Sequence, residues 1–311
     1  MKIGISLINR GPLARPEHFT RVAQRAEALA FDSLSISDHI VVPKTMPSNY
    51  PYHPKGEFGW EAARDYYEPL ATLTYLAGQT KTLRLGTSVL ILPYRNPVIV
   101  AKVVATIDAL AGGRVFLGVG TGWWEDEFKA LGLPGHHAER GPRTDEYIRI
   151  LRNLWREENP EFAGKFYAYG NLEFSPKPAQ PGGVPIWIGG HTKRALRRVA
   201  ELGDVWHPIG LREPAGLTPE ELGEKRKTLH ALCETAGRDP AGVEIAFRCP
   251  LVFSEHDRRP MQGTPAQILE DIQAYAQQGV SHITFDIPTI DFAALMTTLE
   301  RIGREIIPKV G

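Results

Sequence analysis

The sequence contains little cysteine and no excess of charge of either sign. Among its 311 residues only Cys233 and Cys249 are cysteines, too few for a disulfide framework or for a zinc site built on cysteine. Its 36 basic residues are balanced by 36 acidic ones. Nucleic acid and anionic membrane surfaces attract proteins that carry a basic face, so we expect neither as the main partner.

Long apolar runs and several common catalytic motifs are also absent from the sequence. No apolar run reaches the roughly 18 residues of a transmembrane helix, and the apolar stretch at the N-terminus is too short for a secretory signal. We therefore expect a cytoplasmic protein. G-x-S-x-G and G-x-x-x-x-G-K-[ST] do not occur, and no lysine ends a predicted strand. His136 and His137 lack the H-E-x-x-H spacing, so no metal site is predicted.

Short apolar runs alternate with longer amphipathic segments along the chain. Eight strand-then-helix units predict an α/β fold, a closed (β/α)8 barrel formed by a single domain over residues 1–311, with an open doubly wound sheet as the alternative. The predicted strands cover residues 3–8, 33–37, 83–90, 114–119, 185–188, 204–206, 243–247 and 282–285. The predicted helices cover residues 16–30, 67–78, 98–110, 144–155, 193–202, 219–236, 265–278 and 292–307.

Three predicted connections are much longer than the usual two to six residues. Segments 40–65 and 121–142 each follow a strand, which in a barrel places them at the C-terminal face where active sites are built. Segment 158–183 is expected to form a hairpin that turns at residues 170–171. Segment 250–263 also follows a strand and is interpreted as a mobile lid.

Polar residues end the second and third predicted strands. Asp38 and His39 follow the second strand, where a carboxylate beside an imidazole suggests an acid/base pair. A loop-stabilising aspartate and a surface histidine fit the same pattern. Thr87 and Ser88 end the third strand, where hydroxyls suggest contacts to a ligand ring or phosphate, with barrel packing as the alternative.

Glycines follow the fourth strand, in the segment Gly118 to Gly122. Glycine lets backbone amides approach a ligand closely, although the spacing departs from G-x-G-x-x-G. The segment is followed by aromatic residues that either form a wall for a flat ligand or plug the loop: Trp123, Trp124 and Phe128.

A second pair of glycines, Gly189 and Gly190, follows the fifth strand and directly precedes a predicted helix. Amides at a helix N-terminus bind phosphate, and Thr192 or Lys193 would add a donor. The alternative is a tight turn with a threonine cap. Three further residues end later strands and are interpreted mainly as salt-bridge or loop anchors: His207, Arg248 and Asp286.

Taken together, these segments resemble the bacterial luciferase-like flavin and deazaflavin oxidoreductases, most closely the subgroup of probable coenzyme F420-dependent enzymes. The resemblance keeps its order and spacing from residue 2 to about residue 208. Beyond that point only the rhythm of strands and helices matches. The stretches that carry it are AEALAFDSL at 26–34, SDH at 37–39, LRLGTSVLILPYRNP at 83–97, GGRVFLGVGTGW at 112–123, ERG at 139–141, TDEY at 144–147, PKP at 176–178 and PIWIGG at 185–190.

The resemblance implies a (β/α)8 barrel with a flavin or deazaflavin ring at its mouth and pairing into a homodimer. It implies a non-proline cis peptide between Ser88 and Val89 that supports the ring, and it places Asp38 and His39 near the redox edge. The cofactor phosphate would be held by Gly189, Gly190, His191 and Thr192. The ring pocket would be lined by Gly120, Thr121, Gly122 and Trp123.

The chain departs from the sugar-phosphate dehydrogenases of this family. Those enzymes have a carboxylate where this chain has Trp123 and a tryptophan near the position of Pro43, so a sugar phosphate is not the expected substrate. We expect instead a small apolar or aromatic substrate, in a pocket built with Trp123, Trp124, Tyr50, Tyr52 and Trp60. The main hypothesis is hydride transfer with F420 and proton transfer by His39. A reduced-FMN-dependent monooxygenase and a non-catalytic flavin-binding protein are the alternatives.

Overall fold

Eight parallel strands close into a barrel in the computed structural model, which describes residues 1–42, 65–212 and 215–310. Each strand pairs with its neighbours in chain order, and the ring closes where Lys2 of the first strand is in register with His282 of the last. The strands are β1 Lys2–Leu7, β2 Ser33–Ile36, β3 Arg84–Thr87, β4 Val115–Gly120, β5 Ile186–Gly189, β6 Val205–His207, β7 Glu244–Pro250 and β8 His282–Asp286. The predicted closed barrel is therefore confirmed, and the open-sheet alternative is wrong.

Helices surround the barrel and begin where the sequence supplies a start signal. Helices α1, α2, α3, α7 and α8 each begin at a proline, whose fixed φ suits the first helical position. Capping boxes start α7 and α8, with Thr218 and Thr264 as the capping residues. The helices of the described residues are α1 Pro16–Ala28, α2 Pro69–Ala77, α3 Pro97–Leu110, α4 Glu125–Ala130, α5 His136–Arg156, α6 Lys193–Leu202, α7 Pro219–Thr235, α8 Pro265–Gln277 and α9 Phe292–Arg301.

Large side chains fill the N-terminal half of the barrel. Phe116 of β4 stacks on Trp187 of β5, with ring centroids 4.1 Å apart. A Cβ atom on Gly86 of β3 would lie 2.4 Å from the Phe116 ring, so the glycine makes room for that ring. Because this end is packed, open space is left to the C-terminal end of the strands.

The connection between β4 and β5 is more helical than predicted. The sequence predicts a loop over residues 121–142, but α4 occupies its middle and α5 begins at His136. Pro142 therefore lies inside α5 rather than before it. A proline within a helix removes one backbone hydrogen bond. The later turns of α5 are deeply buried, and their packing supports the turns that precede the proline.

The hairpin between α5 and β5 is present, but its turn lies earlier than predicted. Phe162 pairs with Tyr169 and Ala163 with Ala168, so the chain turns at residues 164–167 and not at 170–171. Glu146 of α5 accounts for the difference, because its carboxylate accepts hydrogen bonds from three backbone amides of that turn. A helix side chain thus selects a turn that local sequence did not indicate.

Segment 250–263 is tied to the body of the protein. Val252–Phe253 pairs with Gln262–Gly263, and Arg258 forms a salt bridge of 2.7 Å with Asp271 of α8. No residue of 251–263 lines the cavity at the barrel mouth. The interpretation of this segment as a mobile lid stays a prediction.

Candidate active site

A cavity of about 1410 Å³ opens at the C-terminal ends of the strands. Residues that end or follow every strand line it, together with residues of α5 and α6. The predicted site residues among them are Asp38, His39, Ser88, Val89, Gly120, Thr121, Gly122, Trp123, Gly189, Gly190 and Thr192. The barrel thus brings together segments that lie far apart in the sequence, and of the predicted site residues His191 alone does not line the cavity.

The Ser88–Val89 peptide bond is cis, as the resemblance implied, and it ends β3 at Thr87. The chain resumes a short strand at Leu90–Ile91. The Val89 side chain lies against the ends of β4 and β5, where a Cβ on Gly120 would come within 2.6 Å of it and a Cβ on Gly189 within 3.1 Å. These two glycines therefore make room for the bulge, a reason different from the ligand approach that the sequence suggested.

Arg248, at the end of β7, crosses the floor of the cavity. Its guanidinium donates to both carboxylate oxygens of Asp286 at 2.7–3.0 Å, to Ser6 Oγ at 2.9 Å and to Ser88 Oγ at 2.9 Å. Arg212 donates to Asp286 at 2.7 Å. Burial alone would raise the pKa of Asp286, but the charges of the two arginines lower it to about 2. The floor is therefore held by charge-assisted hydrogen bonds around an ionised carboxylate.

His207 anchors the same floor. Its Nδ1 lies 2.7 Å from the Ala246 carbonyl oxygen, and its Nε2 lies 2.7 Å from Ser88 Oγ. A carbonyl oxygen only accepts, so Nδ1 carries the hydrogen and the Ser88 hydroxyl donates to Nε2. Burial lowers the pKa of His207 to about 4, which keeps the ring neutral near pH 7. The interpretation of His207, Arg248 and Asp286 as anchors is confirmed by these contacts.

His39 is held by a carboxylate that the sequence did not reveal. Its Nδ1 lies 2.6 Å from Oε2 of Glu127, a residue of α4 whose side chain has 0% exposure. The same carboxylate accepts the backbone amides of Ile40 at 2.7 Å and Val41 at 3.3 Å, and the Tyr94 hydroxyl at 2.9 Å. Glu127 lies 88 residues from His39 in the chain, in a segment predicted to be a loop, so no local pattern pointed to it.

Asp38 forms its ion pair with Arg95 and not with His39. Arg95 donates from both terminal nitrogens, at 2.6 and 2.9 Å, and the Ile91 amide donates to the same carboxylate at 2.8 Å. Asp38 therefore anchors the segment that follows the cis peptide. The predicted Asp38–His39 acid/base pair is wrong in its partner, because the two side chains of neighbouring residues leave the strand in different directions.

Of the predicted aromatic wall beyond β4, only Trp123 lines the cavity. Trp124 stacks on it with centroids 5.1 Å apart and is itself 3% exposed, and Phe128 is fully buried. Tyr66 adds a ring that the sequence did not indicate, set edge-on to His39 at 5.6 Å. Three aromatic residues expected in the wall lie outside the described residues: Tyr50, Tyr52 and Trp60.

The N-terminus of α6 opens into the cavity after the turn at Gly190, which has a φ of +94°. Thr192 caps the helix by accepting the Ala195 amide, which leaves its own hydroxyl hydrogen available to a ligand. No described residue accepts a hydrogen bond from the amides of Lys193 or Arg194. Free amides at a helix N-terminus suit an anion.

His191 does not belong to this anion site through its side chain. It does not line the cavity, and burial lowers its pKa, with Lys225 of α7 as the next cause. The sharp turn at Gly190 directs the following side chain toward α7. The prediction that the His191 side chain contacts the phosphate is therefore wrong.

Basic residues of α5 and α6 extend the cavity outward from Thr192, in what we call the basic end. Arg198 pairs with Asp145 and Arg197 with Glu201, so these two charges are balanced. Among the described residues no carboxylate pairs with the others. The basic side chains that line this end are Arg140, Lys193, Arg194, Arg197 and Arg198.

Two further searches of the described residues gave negative results. None of the helices in 1–42, 65–212 and 215–310 combines the length and apolar character needed to cross a bilayer. The same residues contain no group of three histidine, cysteine, aspartate or glutamate side chains placed to hold a metal ion.

Comparison with known proteins gives one family. Residues 1–262 match the family described as luciferase-like monooxygenase. An uncharacterised protein of Mycobacterium tuberculosis is 37% identical over 217 residues, which cover 70% of this chain and 72% of that protein. The FMNH(2)-dependent dimethylsulfone monooxygenase of Pseudomonas putida is 35% identical over 146 residues, which cover 47% of this chain and 40% of that enzyme.

Among solved structures, an F420-dependent secondary alcohol dehydrogenase in complex with an F420–acetone adduct superposes with a TM-score of 0.76. The two sequences are 19% identical, and the superposition covers 98% of each chain. At this identity the similarity establishes the fold.

Proposed function

The chain belongs to the luciferase-like monooxygenase family, and we propose that it transfers hydride between coenzyme F420 and a small apolar or aromatic substrate. Membership confirms the resemblance drawn from the sequence and makes the chain an oxidoreductase that uses F420 or a flavin. The observation that carries the choice of F420 is the basic end of the cavity. The homodimer and the cytoplasmic location remain predictions.

The basic end supports F420 because the two cofactors differ beyond their phosphate. FMN ends in one phosphate group, whereas the phosphate of F420 continues into a lactyl group and a chain of glutamates. A single phosphate is served by the Thr192 hydroxyl and the amides of Lys193 and Arg194. The side chains of Lys193 and Arg194, which have no acidic partner among the described residues, then remain for further carboxylates.

The inner cavity suits a tricyclic ring and a substrate together. Its volume of about 1410 Å³ exceeds the roughly 300–1,000 Å³ of most small-molecule sites. The bulge at Ser88–Val89 and the strand ends at Gly120 and Gly189 would hold the ring, and Trp123 would cover it. When bound, F420 supplies the ring carbon that accepts or releases hydride.

The protein's own contribution is to position groups, exclude water and move a proton. The carboxylates of Asp38 and Asp286 are tied to Arg95 and Arg248, which leaves His39 as the lining group suited to proton transfer with the substrate. A general acid or base contributes about 10²- to 10⁴-fold to a rate. We expect His39→Ala to lower kcat by that factor.

A reduced-FMN-dependent monooxygenase is the second candidate. The similarity to the FMNH(2)-dependent dimethylsulfone monooxygenase favours it, since that enzyme is 35% identical over the matched 146 residues. Both candidates use the same barrel mouth and phosphate site. They differ in whether molecular oxygen is consumed.

The two candidates separate in a pair of assays on the purified protein. Under anaerobic conditions, F420 is mixed with a panel of apolar and aromatic alcohols, and reduced F420 with the matching aldehydes, ketones and quinones, while cofactor absorbance is followed. We expect turnover with at least one compound, and loss of that turnover in His39→Ala. Turnover only with reduced FMN, coupled to oxygen uptake, would contradict the proposal and establish the second candidate.

A further inference from the structure

We propose that Glu127 is a positioning residue, which fixes the hydrogen of His39 on Nδ1 so that Nε2 is the nitrogen that exchanges a proton at the cavity. The assignment deepens the proposed function, on which its catalytic meaning rests. The geometry itself depends only on the contacts of α4 with the segment after β2.

The donors around Glu127 decide which partner carries each hydrogen. Oε1 receives the amides of Ile40 and Val41, which can only donate. Oε2 receives the Tyr94 hydroxyl at 2.9 Å and faces His39 Nδ1 at 2.6 Å. A carboxylate offers about four acceptor positions, so the ionised form satisfies every group around it when Nδ1 donates.

Tyr94 supports the same arrangement from the opposite side of the carboxylate. Burial raises the pKa of its hydroxyl, and the charge of Glu127 raises it further, so Tyr94 stays protonated and acts as a donor. With three other donors already directed at it, Glu127 is stabilised as a carboxylate and not as an acid. A buried carboxylate against Nδ1 also stabilises the imidazolium that forms when Nε2 accepts a proton.

No other described acidic residue takes this part. The remaining acidic residues of α4, Glu125 and Asp126, lie at its surface and pair with Lys129. Burial raises the pKa of Tyr66 to about 12, so it faces His39 as a neutral ring. The ionisable and charged groups near His39 are Glu127, Tyr94, Tyr66, Asp38 and Arg95.

The variant Glu127→Gln makes a specific prediction because an amide has only one oxygen. If that oxygen stays on the two backbone amides, the NH₂ group faces His39 and donates to Nδ1. The hydrogen of the neutral ring then moves to Nε2. If the amide flips, the buried amides of Ile40 and Val41 lose their acceptor, which costs about 1–3 kcal/mol for each unsatisfied group. The first arrangement is favoured, so the tautomer of His39 inverts.

The test is ¹⁵N NMR of histidine-labelled protein without cofactor, at a pH where His39 is neutral. The His39→Gln variant identifies the His39 signals among those of the ten histidines. We expect a protonated Nδ1 and an unprotonated Nε2 in the wild type, and the reverse in Glu127→Gln. Glu125→Gln, which changes an exposed carboxylate on the same helix, should keep the wild-type pattern. A wild-type ring protonated on Nε2, or an unchanged tautomer in Glu127→Gln, overturns the proposal.

A second variant keeps the proposal testable if Glu127→Gln does not fold. Tyr94→Phe removes one donor from Oε2 but leaves the carboxylate, so His39 should keep its hydrogen on Nδ1. A change of tautomer in Tyr94→Phe would contradict the assignment. Because the NMR signature needs neither F420 nor substrate, it stands or falls apart from the proposed function. With F420 turnover in hand, Glu127→Gln should lower kcat about 10²- to 10⁴-fold with little change in KM.

Discussion

The floor of the cavity and its basic end are both rich in charge, yet they treat that charge in opposite ways. At the floor, Arg248, Asp286, Ser88 and His207 satisfy one another's hydrogen bonds. At the basic end, Lys193 and Arg194 have no acidic partner among the described residues. Groups that satisfy each other keep a shape, whereas donors left open to a cavity are available to a ligand. The comparison assigns structure to the floor and cofactor binding to the basic end.

The largest effect should follow from breaking the floor. Arg248→Met leaves the Asp286 carboxylate with a single arginine partner and removes the donors to Ser88, so we expect a loss of about 3–5 kcal/mol in the free energy of unfolding. Urea denaturation of the protein without cofactor measures it. Lys227→Met is the control, because its ion pair with Glu224 is exposed and should change stability by less than about 1 kcal/mol. Equal stability of the two variants would show that the floor is not a structural unit.

A somewhat smaller effect should appear in the pH dependence of stability. The pKa of His207 is about 4 in the folded protein, against about 6.5 when unfolded, so the unfolded chain binds more protons between these values. Stability therefore falls as the pH is lowered from about 6.5 to about 4, by roughly 3 kcal/mol from this residue. His207→Gln should lose that part of the slope. A parallel pH profile in the two proteins would place the His207 ring outside the buried floor.

The smallest effect on stability, and a clear one on binding, should come from the basic end. In the double variant Lys193→Gln/Arg194→Gln we expect unfolding free energy to change by less than about 0.5 kcal/mol, since both side chains are exposed. Affinity for F420 should fall about tenfold, which corresponds to about 1.4 kcal/mol. Affinity for an analogue that ends at the phosphate should fall less. Equal losses for both ligands would mean that the two charges serve only the phosphate.

Much of the barrel could be predicted from the sequence, because strands buried on both faces and proline or threonine helix starts are local signals. α6 has its predicted bounds, and the cis peptide lies at Ser88–Val89, where the family resemblance put it. The predictions failed where a distant side chain overrides local signals. Glu146 moves the hairpin turn, and the buried turns of α5 carry the helix past Pro142.

The site was predicted less completely for the same reason. Residues that end strands are visible as motifs, so the strand-two and strand-five segments could be located. Their partners are not local: Glu127 meets His39 across 88 residues, and Arg95 meets Asp38 across 57. Side-chain direction also escapes sequence patterns, which is why His191 was placed in the phosphate site although it faces α7.

Equilibrium binding of F420 and of FMN to the wild-type protein, each followed by cofactor fluorescence at the same ionic strength, tests the central claim most directly. The account predicts that F420 binds at least about tenfold more tightly, because only its tail reaches the unpartnered charges of Lys193 and Arg194. FMN binding as tightly as F420, or more tightly, would contradict it.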